Sequence, residues 1–264
     1  MTTLRQSNPT GSYNLITANV SLVAEVDKVV DAVKEQKTKL DMLFVSAGFV
    51  PFEGRMLTRE GLEPSMSTRY CSRLRAIQQL LPLLNNALSP RIVSVLAGGI
   101  EAAINEDDLD LRKNPKHWSF WNASVYSATM GTLAFEMIGQ KTPNLSIVHW
   151  FPGPVATPGF ARSREFGFAS TYAMSQDEGG ARAVFLTTSD RYSVQGGLIP
   201  VPDGLEPVKR STGGVFLVGP EGEGTDNEDV LADMRNRGLP QKVWNFTQDI
   251  FEDCTAQTRP KDEL

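Results

Sequence analysis

The side chains with most chemical reach in this sequence are His117 and His149, Cys71 and Cys254, and the carboxylate run Glu106-Asp107-Asp108-Leu109-Asp110. Two cysteines so far apart cannot build a disulfide framework, nor a zinc site unaided. Hard cations need clustered carboxylates, but an isolated acidic run normally stays in water. Residues 106–110 therefore read as a solvated loop or helix start, and no metal site is expected. His149 sits in the apolar stretch Ile147-Val148-His149-Trp150-Phe151 and reads as a core-edge histidine, with no serine elbow beside it. The densest glycine run is Gly219-Pro220-Glu221-Gly222-Glu223-Gly224. With two glutamates and no lysine it would repel a pyrophosphate, so it reads as a turn. No glycine-rich phosphate turn joins the first strand to the first helix.

The elements that must position such residues alternate. Residues 13–20 mix β-branched, aromatic and Asn side chains and predict a strand, with Ser21 as the N-cap of an amphipathic helix carrying Leu22, Val26, Val29, Val30 and Val33. Residues 41–46, 91–96 and 145–151 are short apolar runs ended by Gly or Pro, which suit strands buried on both faces of a parallel sheet. Helices are predicted over 74–84 and 124–138, and from the capping box Ser175-Gln176-Asp177-Glu178 through Phe185. A late strand follows at 215–218, then helices at 230–237 and 241–253. This pattern predicts an α/β fold, a Rossmann-like doubly wound parallel sheet. No repeat or linker divides it, so residues 1–264 read as a single domain, with a core over 13–219 and a C-terminal helical extension over 220–264. Residues 101–123 and 154–174 are long insertions after carboxyl ends of strands, where open α/β sheets bind ligands.

The chain's 26 basic against 31 acidic side chains give a net charge of −5, which argues against a nucleic-acid partner. No apolar run approaches the roughly 18 residues a membrane helix needs, and residues 1–13 lack the apolar centre of a signal peptide. The terminal Lys261-Asp262-Glu263-Leu264 spells a luminal retrieval signal, and sequons occur at Asn19, Asn122, Asn144 and Asn245. Both operate only in the secretory lumen, so they read as coincidental and the expected location is cytoplasmic.

Leu40-Asp41-Met42-Leu43-Phe44-Val45-Ser46-Ala47-Gly48, Leu80-Leu81-Pro82-Leu83-Leu84, Arg91-Ile92-Val93-Ser94-Val95, Tyr126 and Pro152-Gly153-Pro154-Val155-Ala156-Thr157 follow one another in an order that resembles the short-chain dehydrogenase/reductases, in particular their divergent fungal secondary-metabolite branch. The resemblance implies an oxidoreductase that uses NADP(H) on the ketone or alcohol of a small polyketide or terpenoid. It maps the catalytic tyrosine onto Tyr126 and the active-site asparagine onto Arg69. Its cofactor-side positions map onto Asn19, Gly48, Pro152, Gly153, Val155 and Thr157. It also shows losses. The family's lysine falls on Met130, which cannot lower a phenol's pKa by charge. The catalytic serine falls near Leu96-Ala97, one step past Ser94, and the asparagine pair of the family's fourth strand falls on Val45-Ser46. These losses keep a second class open: an isomerase, dehydratase or cyclase that needs no cofactor, or a catalytically inactive remnant. Family packing implies a homodimer through helices 68–84 and 124–138, with Leu74, Ile77, Leu81 and Leu133 at the seam, although core packing accounts for them equally well. Finally, residues 13–20 map onto the family's third strand. The resemblance then implies a sheet truncated at its N-terminal side, in which 13–20 pairs with 41–46 or an apolar edge stays open.

Overall fold

Where the sequence runs apolar for four or five residues between glycine or proline signals, strands form. The computed structural model describes residues 2–49, 54–164 and 172–256. Its elements are α1 (Thr2–Ser7), α2 (Val23–Gln36), β1 (Met42–Val45), α3 (Pro64–Met66) running through a π-helical turn (Ser67–Cys71) into α4 (Ser72–Asn85), β2 (Arg91–Val95), α5 (Phe120–Lys141), β3 (Ser146–Trp150), α6 (Pro158–Arg164), α7 (Gln176–Thr188), β4 (Phe216–Val218), β5 (Gly224–Thr225), α8 (Glu228–Asn236) and α9 (Leu239–Ala256). The sheet order is β1-β2-β3-β4-β5. β1 to β4 are parallel, with Met42 opposite Arg91, Val95 opposite Trp150 and Val148 opposite Phe216. β5 returns antiparallel, Val218 opposite Gly224, so the 219–224 glycine run is the expected turn.

Side chains alternate across the sheet with the period of two that strands impose. Ile92, Ile147 and Leu217 face a core shared with Leu74 and Ile77 of α4, Met130 and Leu133 of α5, and Val243 and Phe251 of α9. Val93, Val148, Trp150, Phe216 and Val218 face the other way, onto Leu186 of α7 and onto Tyr192. Both faces are therefore covered, as a parallel sheet requires. The C-terminal helices are part of the main core: Leu231, Leu239, Val243 and Phe251 join the same cluster, and the Tyr70 hydroxyl and Thr247 Oγ1 are 2.6 Å apart.

Several expectations need correction. Residues 13–20 form no strand. A strand needs a partner, and this segment instead hangs on α2 through Asn14, whose side-chain amide donates to Gln36, while Leu15 stays 73% exposed. Asn19 closes a local turn, accepting from the Ser21 backbone N–H at 3.1 Å and its hydroxyl at 2.7 Å, a standard competitor of extended backbone. Ser21 is thus not the N-cap of α2. Leu22 stands at that position without a capping side chain, and the free N–H groups are capped by Glu60, whose carboxylate accepts from Val23 N at 2.6 Å and Ala24 N at 3.1 Å. β1 has β2 as its sole partner among the described residues and is not buried on both faces, with Phe44 40% exposed. Of the residues weighed for a dimer seam, Leu74, Ile77 and Leu133 are buried in the chain's own core and Leu81 packs against it, the core-packing alternative. The terminal 261–264 motif lies outside the described residues, and among those residues no helix is long and apolar enough to cross a membrane.

Candidate active site

Parallel strands deliver their carboxyl ends to one rim, and the chain turns sharply there. Ser46-Ala47-Gly48 leaves β1, Leu96-Ala97-Gly98 leaves β2 and Pro152-Gly153-Pro154 leaves β3. Gly98 allows this crowding: a Cβ there would stand 2.0 Å from the His149 carbonyl oxygen. Gly48 leaves room for a neighbour in the same way, since a Cβ would meet Arg69 Cγ at 3.2 Å. Gly153 holds the left-handed φ of +68° that starts the loop after β3.

Between these loops opens a cleft of about 530 Å³, with Gly48 and Val95 on its sheet side, Gly153, Val155 and Thr157 on the loop side, and Arg69 and Arg73 among its lining. The loop side is braced by short local bonds. Pro154 O accepts from Met174 N at 2.9 Å, and Thr157 Oγ1 accepts from Phe160 N at 3.2 Å as α6 begins.

Arg69 and Arg73 stand one helical turn apart where the π-helical turn passes into α4, so both point to the strand ends. Such π-turns recur at functional sites. Arg69 is held by Ser65 and by Ser124 Oγ, to which its Nη1 donates at 2.7 Å; its guanidinium also lies 5.8 Å from the Phe120 ring centroid. Arg73 stitches two strands together, donating to Ala47 O at 2.7 Å, Val95 O at 2.6 Å and Ser94 Oγ at 3.0 Å. Burial lowers both guanidinium pKa values to about 10, still fully charged at neutral pH. Nearby Glu63 partly restores Arg69, while Arg69 itself further lowers Arg73.

Of the residues expected from sequence, the cleft gathers Arg69, Gly48, Gly153, Val155 and Thr157. Pro152 precedes Gly153 and shapes the turn without lining the cleft. Asn19 stands apart from it, exposed and spent on its own turn. Tyr126 does not line the cleft either. It is 8% exposed, and its hydroxyl oxygen accepts from Asn105 N at 2.8 Å. That bond uses a lone pair and leaves the phenolic proton to donate. Met130, in the lysine position, is buried in the apolar core. Ser94 faces inward onto Arg73, as its early register implied.

The remaining titratable candidates are structural. His149 is fully buried, bonded to Thr132 at 2.8 Å with Glu101 at 3.9 Å. Burial lowers its pKa to about 4, against the pull of Glu101 and helped by Arg73. Asp108, within the acidic run, accepts from Arg112 N, Lys113 N and the His117 ring; burial raises its pKa, but these bonds win and hold it below the usual range. Glu106 and Asp107 pair with Arg237 and Lys242. Cys71 and Cys254 are free and buried, and burial pushes both thiols up, Cys254 to about 12. Sequence reasoning missed Arg73, one helical turn beyond Arg69. It also missed Glu60, which nothing local could reveal.

No family model matches the chain. Known fungal proteins do. The chain is 59% identical over 264 residues to the NmrA-like family domain-containing oxidoreductase notO of Aspergillus sp. (strain MF297-2), covering 99% of this chain and 80% of that protein. The chain belongs to the NmrA-like family domain-containing oxidoreductases. Oxidoreductase AN1596 of Emericella nidulans (strain FGSC A4) is 34% identical over 94% of this chain and 79% of its own length. The short-chain dehydrogenase/reductase SAT2 of Stachybotrys chartarum is 27% identical over 95% and 78%. Solved structures agree on the fold. An uncharacterized Mycobacterium paratuberculosis protein gives a TM-score of 0.58 at 17% identity over 95% of this chain and 80% of its own. Levodione reductase gives 0.53 at 18% over 77% and 81%. The NmrA-like oxidoreductase fold thus carries its cleft at the carboxyl ends of β1, β2 and β3.

Proposed function

We propose that the chain is an oxidoreductase acting with NADP(H) on the ketone or alcohol of a small polyketide or terpenoid. The observation that carries this reading is the cleft, which collects Gly48, Gly153, Val155 and Thr157, positions that map onto the cofactor side in the family resembled. Those residues fit a cofactor: on the loop side of the cleft Val155 offers an apolar surface and Thr157 a hydroxyl. They would hold it, and the chemistry the group supplies when bound is hydride transfer at a carbonyl carbon. The α2 N-terminus is not the pyrophosphate cradle, because Glu60 already occupies its first N–H groups.

The chain's own residues then orient the substrate. Arg69 offers a permanently charged fork to the reacting oxygen, taking the place of the family's asparagine. Tyr126 holds the family's proton-donor position on α5, and its bond to Asn105 leaves the phenolic proton unused; because its hydroxyl stands outside the cleft lining, this role requires the 101–110 loop to move aside for substrate. Apolar walls exclude water from the reacting face. A second reading, a cofactor-free isomerase, dehydratase or cyclase in the same cleft, draws on two observations. Met130 lies in the core, and Tyr126 lies outside the cleft lining.

Calorimetric titration with NADPH, followed by assay of NADPH consumption with cyclic ketones, separates the two. One saturable site with micromolar to submillimolar affinity supports the oxidoreductase. No heat at millimolar NADPH together with cofactor-free turnover supports the second reading.

A further inference from the structure

Two buried guanidinium groups lie side by side in this cleft, and among the described residues neither has a countercharge bonded to it. Arg69 is 6% exposed and Arg73 5% exposed. Every bond described above for them goes to a neutral hydroxyl or carbonyl oxygen. Among the described residues, Glu63 is the carboxylate that Arg69 feels, and its oxygens are already taken by Ser65 N and Met66 N at 3.1 and 2.7 Å. Arg73 Nε is buried with no partner at all among the described residues. A guanidinium carries five N–H groups, and each arginine commits only three of them to these bonds. Buried charge is costly unless it is paired, and here two like charges share one wall.

Much of the rest of the cleft is apolar, with Phe49, Val95, Leu96 and Pro154 beside the polar Ser46 and Thr157. We propose that Arg69 and Arg73 form an anion subsite that takes a carboxylate or phosphate group carried on an apolar ligand body. The planar fork of each arginine matches two oxygens of such a group. A neutral structural pair would not need two charges. Tying Ala47 to Val95 takes only neutral donors, and an amide could supply them. This inference deepens the function proposed above by assuming that the same cleft binds ligand, but it does not depend on which chemistry follows.

The test is calorimetry on the full chain at low ionic strength with three probes: cinnamate, its neutral twin cinnamide, and inorganic pyrophosphate. Cinnamate is expected to bind at least about ten-fold more tightly than cinnamide, since charge-assisted bonds replace neutral ones. Added salt should weaken that preference only slightly, because the site is buried. Arg69→Gln and Arg73→Gln should each remove the preference. Arg69→Lys, which keeps the charge but not the fork, should retain part of it. Pyrophosphate binding without cinnamate binding supports the same subsite and assigns it to a phosphate-bearing ligand. Equal affinity for cinnamate and cinnamide, or no binding of either anion at millimolar concentration, overturns the proposal. The wild-type comparison decides the matter even where a variant fails to fold. Cinnamate binding in a chain that ignores NADPH leaves the subsite standing and removes only the redox reading.

Discussion

At the scale of single residues, burial decides what each group can do. His149 touches Thr132 and faces Glu101, yet it is enclosed by β3 and α5 and its pKa lies at about 4. The folded chain therefore leaves it neutral where the unfolded chain, with an ordinary value near 6.5, takes up a proton. Between about pH 6.5 and 4 the unfolded state binds more protons, so stability falls as pH falls through that window. The loss attributable to His149 is on the order of 3 kcal/mol. Urea unfolding between pH 7.5 and pH 4.5 should show a steep acid limb for the wild type and a shallower one for His149→Gln. Equal limbs would contradict the account. The sequence made this histidine readable as a core residue because it lies within an apolar strand. It did not make Arg73 readable, because a helix arginine is normally solvated and nothing local marks the strand ends it joins.

Elements show the same division between local and distant causes. β2, β3 and α5 were legible because an apolar run or a 3.6-residue period dictates the element wherever the chain goes. Residues 13–20 were not, since β-propensity records fit to a pleated neighbour, and among the described residues no strand pairs with this segment. The start of α2 shows why caps mislead. Ser21 stands in the favoured place, but Glu60 reaches in from a loop far along the chain and takes both Val23 N and Ala24 N. Glu60→Ala leaves those N–H groups without a partner in a buried setting, and should cost about 1–2 kcal/mol, the upper range for a lost cap. Thermal unfolding by circular dichroism checks it; an unchanged midpoint would mean that water replaces the carboxylate. α2 packs Val26 and Val30 onto Leu80 and Leu83 of α4. Loosening it therefore disturbs the helix that carries Arg69 and Arg73.

On the scale of the whole molecule, one sheet and its covering helices converge on a single rim. α4 and α5 press Ile77 and Leu133 into the core that also takes Phe251 of α9, so the C-terminal helices brace the helices behind the cleft. The positions that the family resemblance mapped to the cofactor side, Gly48, Gly153, Val155 and Thr157, lie together at that rim, because strand order and turn residues set where the strands end. The resemblance did not locate Tyr126 relative to the cleft, since the course of the 101–110 loop, which meets the Tyr126 hydroxyl at Asn105, is set by tertiary contacts. The central claim is that the carboxyl ends of β1, β2 and β3 form the ligand site. Hydrogen–deuterium exchange with and without millimolar NADPH tests it most directly. The account predicts slowed exchange in peptides spanning residues 46–49 and 153–157, with the far ends of the same strands unchanged. Protection confined to other regions, or none anywhere, would contradict it.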